Sequence, residues 1–146
     1  RDLMRALLDV NVLIALLDAD NVHHRRATAW MARHEHEGWA SCPITQNGCI
    51  RIMSQPGYPN PLPVAAIAER LGEAVAMPPH AFWPDDASIL DEKIFDRTRI
   101  LGSRQLTDAY LLALSVGHQG RFVTFDKGVD LAMVRGAERR HLLTLE

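Results

Sequence analysis

Three aspartates stand where apolar, strand-like runs end or where a helix-like run begins. Asp9 closes the run at residues 6–8, Asp126 closes the run at 122–125, and Asp108 opens the apolar run that follows it. In an open α/β sheet such positions meet in one crevice at the carboxyl ends of the strands. Three carboxylates in one crevice repel one another unless a divalent cation lies between them. The pattern therefore predicts carboxyl groups within about 4–8 Å of one another, sharing a metal ion suited to phosphodiester chemistry.

The elements that must position these aspartates alternate between short apolar runs and longer amphipathic stretches. The patterning predicts strands at 5–9, 39–42, 82–83, 121–125 and 141–145, helices at 11–18, 23–37, 44–54, 64–76, 85–95 and 107–119, and a short helix or turn at 127–133. Strands that alternate with helices indicate an α/β fold with a parallel sheet covered on both faces. Since no repeat or linker interrupts the chain, residues 1–146 are assigned to one domain.

The composition fits an ordinary globular domain and sets few limits on function. Of the 146 residues, 47% are apolar and 23% charged, and the net charge is -2. That charge does not indicate a nucleic-acid binder, although Arg97, Arg99 and Arg104 form a local basic strip before Asp108. The two cysteines fit no metal or redox motif and are expected to be reduced thiols. Without a signal peptide or an apolar run of ~18–20 residues, the sequence predicts a cytoplasmic protein.

Three motifs, in this order, resemble the acidic signatures of PIN-domain nucleases, and most closely those of the VapC-like toxins of bacterial toxin–antitoxin pairs. They are Leu8-Asp9-Val10-Asn11, Leu106-Thr107-Asp108 and Val123-Thr124-Phe125-Asp126, with further similarity at 23–30 and 45–51. No single motif is specific, but the ordered set extends over most of the chain. The resemblance implies a Rossmann-like three-layer α/β/α sandwich and a single nuclease domain over 1–146. It also implies endonucleolytic cleavage of RNA that depends on Mg²⁺, with Mn²⁺ as an alternative.

The resemblance assigns catalytic roles to four residues. Asp9, Asp108 and Asp126 are the implied metal ligands, and they would activate a water as the nucleophile through the ion. Gln46 stands where most PIN nucleases carry a glutamate. A carboxamide can hold a metal-bound water but supplies no charge, so the pocket offers about three negative charges and favours one firmly held ion.

Three neighbours are expected to support these ligands. Asn11 would orient the site from the start of the first helix, and Thr107 and Thr124 would hydrogen bond to the carboxylates. Each residue also has a purely structural interpretation: Asn11 suits a helix N-cap, Asp108 suits the first turn of a helix, and Asp126 suits the cap of a following helix. The three aspartates together, in this order, favour the metal site.

Other functions stay open. Because Gln46 removes one charge, the domain could bind RNA or a protein without cutting. A phosphohydrolase of the haloacid-dehalogenase type ranks low, because it needs a second aspartate where this chain has Asn11. The resemblance further implies a homodimer inhibited by a small antitoxin. Apolar residues expected to supply a self-complementary patch are Ile50, Ile52, Met53 and Trp83.

Overall fold

The computed structural model describes residues 4–146, and five parallel strands alternate there with five α-helices. The strands are β1 (Ala6–Leu8), β2 (Trp39–Ser41), β3 (His80–Phe82), β4 (Arg121–Thr124) and β5 (Leu142–Thr144). The helices are α1 (Val10–Leu17), α2 (His24–His34), α3 (Pro43–Met53), α4 (Val64–Val75) and α5 (Leu106–Gly117). Short 3₁₀ turns lie at Glu35–Glu37, Arg97–Arg99, Ser103–Gln105, Leu131–Met133 and Arg139–His141. The domain assignment also includes residues 1–3, which lie outside the described residues.

The sheet has the strand order β3-β2-β1-β4-β5, and every neighbouring pair is parallel. The chain builds the β1–β3 side first and then returns to add β4 on the other side of β1. The order therefore reverses between β1 and β4, which is where an open α/β sheet leaves a crevice at its carboxyl edge.

Helices cover both faces of the sheet and bury two apolar clusters. One cluster joins alternate sheet residues such as Leu8 and Val123 to α1, α2, α3 and α4. The other joins Leu7 and Phe122 to α5 and to the segments around Phe95 and Met133. Both faces of each central strand are thus apolar, which explains why these strands read as continuous apolar runs. The predicted three-layer α/β/α architecture is confirmed.

One predicted helix is wrong. Residues 85–95 have helix-like apolar spacing, but they form successive turns. Polar side chains compete for the backbone there: Ser88 Oγ accepts the Leu90 N–H at 3.2 Å, and Asp91 Oδ1 accepts the Lys93 N–H at 2.9 Å. The segment ends in an antiparallel bridge between Phe95 and Val134.

The expected self-association patch is also corrected. Met53 and Trp83 are 3% and 6% exposed and belong to the core, so they are not available to a second copy of the chain. Ile50 and Ile52 are partly buried against the same core.

Within residues 4–146, every helix is too short or too polar to cross a lipid bilayer.

Candidate active site

Asp9 and Asp126 flank the crevice where the strand order reverses. Asp9 follows β1 directly, and its backbone N–H donates to the carbonyl of Val123 on β4 at 2.9 Å. Asp126 lies two residues beyond the end of β4. The topology alone thus brings together two carboxylates that are 117 positions apart in sequence.

The hydroxyl of Thr124 connects these two aspartates. Thr124 is fully buried, and its Oγ1 donates to Asp9 Oδ2 at 2.6 Å while accepting the backbone N–H of Asp126 at 3.0 Å. The other Asp9 oxygen, Oδ1, accepts the N–H of Val10 at 2.8 Å and so caps α1. Asp126 Oδ1 accepts the N–H of Gly128 at 2.7 Å, which holds a turn. The supporting role expected of Thr124 is matched by this geometry.

Asp108 completes the cluster from the first turn of α5. Burial, the nearby charge of Asp9, and a hydrogen bond and charge from Asp126 raise the pKa of Asp108 to about 7. Burial also raises the pKa of Asp9, with a smaller contribution from the charge of Asp126, against the opposing hydrogen bonds from Thr124 and Val10. Each pair among the three carboxyl groups is therefore close enough to interact electrostatically.

The donor set fits a hard divalent cation. It offers carboxylate oxygens, which Mg²⁺ prefers, and the mutual repulsion of these groups contributes to the raised pKa of Asp108. In the part of the chain that the structure describes, no three His, Cys, Asp or Glu side chains are arranged to enclose an ion as they stand. Because the pKa of Asp108 is raised to about 7, a cation and a proton would compete for this carboxylate near neutral pH.

Gln46 lies on α3 and is held on the β2 side of the sheet. Its Nε2 donates to Ser41 Oγ at 3.0 Å, and Ser41 Oγ is 2.8 Å from His80 Nε2. Burial and the charge of Arg5 lower the pKa of His80, which favours the neutral imidazole in this chain of contacts. The sequence analysis missed Ser41 and His80, because they meet through strand pairing over 39 positions and leave no local signal.

Two expected supporting residues are placed differently. Asn11 is an exposed residue inside α1, and the N-cap is Asp9, so the N-cap interpretation of Asn11 is wrong. Thr107 is an exposed residue of the first turn of α5, and none of the described hydrogen bonds joins it to a carboxylate. Asp126 holds a turn rather than capping a helix, whereas Asp108 does lie in a first helical turn.

Comparisons with known proteins agree with this architecture. The sequence pattern of the PIN domain matches residues 6–133. The chain is 56% identical to Ribonuclease VapC44 of Mycobacterium tuberculosis, with 97% of this chain and 100% of the relative covered. It is 42% identical to Ribonuclease VapC39 of the same organism over 84% and 89% of the two chains, and 39% identical to Ribonuclease VapC38 over 96% and 99%. The chain therefore belongs to the PIN-domain family and is VapC-like.

Proposed function

We propose that this protein is a metal-dependent endoribonuclease that uses Mg²⁺, with Mn²⁺ as an alternative ion. One observation carries the proposal: Asp9, Asp108 and Asp126 interact with one another at the point where the strand order reverses. Relatives of this chain over nearly its full length bear the name ribonuclease, which supports the same activity here.

The side chains of the cluster would have separate roles in binding the ion and in positioning its ligands. Asp9, Asp108 and Asp126 would hold the ion through their carboxylate oxygens, and Thr124 keeps Asp9 in place by its hydrogen bond of 2.6 Å. When bound, the ion supplies an activated water and neutralises negative charge on the phosphate. Asp108 must be ionised to serve as a ligand, so its pKa of about 7 makes ion binding weaken as the pH falls below neutrality.

We further propose that the enzyme is the toxin of a toxin–antitoxin pair and acts in the cytoplasm as a single nuclease domain. Its partners would be an RNA substrate, a small antitoxin that inhibits it, and a second copy of the same chain. Production of the wild-type chain in a bacterium should arrest growth, whereas Asp9→Asn should not. A short reading frame beside the gene should encode a protein that binds this chain and restores growth.

The direct test is cleavage of total RNA by the purified protein. Wild-type protein should cut RNA when Mg²⁺ is present and stop when EDTA is added, and both Asp9→Asn and Asp108→Asn should be inactive. Glu69→Gln serves as the matched control, because Glu69 is an exposed carboxylate on α4, away from the cluster. Cleavage by Asp9→Asn or Asp108→Asn at the wild-type rate would contradict the proposed roles.

A second function is favoured by Gln46: a domain that binds RNA or protein without cutting. The Gln46 amide donates to Ser41, and it brings no negative charge to the pocket. Gln46→Glu should raise the affinity for Mg²⁺ if residue 46 faces the ion, because the affinity of such sites rises with the number of negatively charged ligands. Calorimetric titration compares this variant with Gln119→Glu, which adds a carboxylate beyond the far end of α5. RNA cleavage by Gln46→Glu but not by the wild type would establish the binding-only function.

A further inference from the structure

A groove of about 470 Å³ runs between α2 and the edge strand β5, outside the carboxylate cluster. Its charged and polar lining is mostly cationic or hydrogen-bond donating. It comprises Arg26, Trp30, Arg33, His34 and Arg121, with Glu146 as an acidic member. Such a lining is complementary to a ligand that carries negative charge and hydrogen-bond acceptors.

Among residues 4–146, no salt bridge joins an arginine of the groove to a carboxylate. The salt bridges within residues 4–146 use Arg97, His118 and Arg140 as their cations, and none uses an arginine of the groove. Arg121 Nε donates to the carbonyl of Arg140 at 2.9 Å, which orients the side chain without cancelling its charge. Arg33 is exposed in the last turn of α2. The groove therefore keeps a local positive charge although the whole chain has a net charge of -2.

Trp30 lines the groove, but its indole N–H is buried beneath the surface. The residue is 6% exposed, and its indole N–H is buried without a hydrogen-bond partner among the described residues. An indole nitrogen can only donate, and a buried donor that lacks an acceptor costs free energy. The ring is stacked on His34 with centroids 4.9 Å apart, so its position is fixed by packing.

One end of the groove lies beside Phe125, the residue before Asp126. The Arg26 guanidinium lies 4.8 Å from the centroid of the Phe125 ring, and Phe125 immediately precedes Asp126. Arg121 stands at the other end of β4, about 13 Å away for a strand of this length. The groove is thus a cationic path along the sheet edge, and its Arg26 end contacts the residue that precedes Asp126.

We infer that this groove binds the phosphate backbone of single-stranded RNA that leads into the active site. Arg33 and Arg121 would neutralise phosphates of the backbone. This inference rests on the proposed ribonuclease function, because that reaction requires a phosphodiester to reach Asp126. The cationic lining provides sequence-independent affinity, so the groove positions the RNA rather than selecting its bases.

The test measures binding of a fluorescent 12-nucleotide RNA of mixed sequence to the full chain carrying Asp9→Asn, in EDTA, where it should not be cut. Arg33→Gln should weaken binding about fivefold at ~0.1 M salt and lower the salt slope by about 0.7, the effect of one phosphate contact on a single strand. Arg70→Gln removes an exposed arginine on α4 and should change neither quantity.

The outcomes separate this inference from the proposed function. If Arg33→Gln binds RNA like the Asp9→Asn parent while wild-type protein still cuts RNA, the groove is not the RNA path and the function stands. If wild-type protein neither binds nor cuts RNA, both ideas fail. A poly-glutamate peptide that displaces the RNA at lower concentration than unlabelled RNA would identify the groove as a protein-binding site and overturn the inference. Equal thermal unfolding of the variants and the parent excludes a purely structural cause.

Discussion

At the scale of single residues, the Thr124 hydroxyl connects two of the candidate metal ligands. It satisfies one oxygen of the partly buried Asp9 carboxylate and one backbone donor of Asp126, so it fixes two candidate ligands at once. A hydrogen bond from a second residue sets both the orientation and the ionisation of a metal ligand. Thr124 is therefore the position where a small change should separate activity from folding.

Thr124→Val keeps the shape of the side chain and removes both hydrogen bonds. We expect RNA cleavage to fall about 10–100-fold, as when other partners of metal ligands are lost. Unfolding in urea should show a loss of about 1–3 kcal/mol, because a buried acceptor and a donor each lose a partner. Thr124→Ser retains the hydroxyl and should keep most of the activity. Equal activity of the valine and serine variants would show that the hydroxyl has no part in the site.

The Asp108 carboxyl should make the metal-free protein sensitive to pH. Its pKa is about 7 in the fold, against 3.8 ordinarily, so between these values the folded state holds a proton that the unfolded chain has lost. Its contribution to stability is full below pH 3.8 and is lost as the pH rises towards 7. Asp108→Asn should therefore become progressively more stable than the wild type over this range, with a constant difference above pH 7.

Urea unfolding in EDTA at pH 5, 6, 7 and 8 measures this difference. The two proteins are compared at each pH because burial lowers the pKa values of His80 and His141. These histidines raise the stability of the folded state as the pH rises, whereas Asp108 lowers it. Added Mg²⁺ should stabilise the wild type more than Asp108→Asn, since a ligand of the folded state raises its stability by mass action. A difference that does not change with pH would contradict the assigned cluster.

At the scale of elements, α1 and α3 approach so closely that only a glycine fits between them. A Cβ at Gly48 would lie 2.8 Å from Val10 Cγ2, at the start of α1 next to Asp9. This close packing explains a glycine in the middle of α3, which the sequence pattern marks only as a weakness of the predicted helix. The contact holds the helix that carries Gln46 against the helix that Asp9 caps.

Gly48→Ala should destabilise the protein by about 1–3 kcal/mol, because an extra methyl group in a packed contact forces the backbone to move. The control is Gly72→Ala on α4, where a Cβ would meet nothing within 4 Å. There the replacement should stabilise by about 0.5–1 kcal/mol through helix propensity. Thermal or urea unfolding compares the pair, and opposite signs are the expected result. An unchanged free energy of unfolding in Gly48→Ala would mean that α1 and α3 can move apart without loss of stability.

Elements with strong local signals could be predicted from the sequence, and contacts between distant elements could not. The helix predicted at 107–119 lies at Leu106–Gly117, and the strand predicted at 121–125 lies at Arg121–Thr124. The helix predicted at 85–95 does not form, because serine and aspartate side chains accept hydrogen bonds from backbone N–H groups there.

The residues of the candidate site also divide into those with a local sequence signal and those without one. The three aspartates could be found because each one adjoins a strand end or a helix start, and parallel strands bring those points together. The partners of Gln46 could not be found. Ser41 lies five residues before Gln46, across the start of α3, and His80 contacts Ser41 only because β2 pairs with β3 in a register that pairs Trp39 with His80 and Ser41 with Phe82.

At the scale of the whole molecule, the predicted homodimer must use a surface other than the one first expected. Met53 and Trp83 lie in the core, whereas Val64 and Met77 at the two ends of α4 are 58% and 67% exposed, and Leu101 is 81% exposed. An ordinary interface covers about 800 Å² on each partner, roughly a tenth of the 8408 Å² surface of this chain. The surface has room for such an interface without covering the carboxylate cluster.

We expect a dimer in solution, with a melting temperature that falls on tenfold dilution because association stabilises the folded state by mass action. Light scattering at micromolar concentration gives the mass. Glutamate placed singly at Val64, Met77 and Leu101 should convert at least one variant to a monomer, since a buried unpaired charge opposes association. Asp20→Glu, which changes no charge, is the control. A wild-type monomer at tens of micromolar, with a melting temperature independent of concentration, would show that this chain folds and works as a single copy.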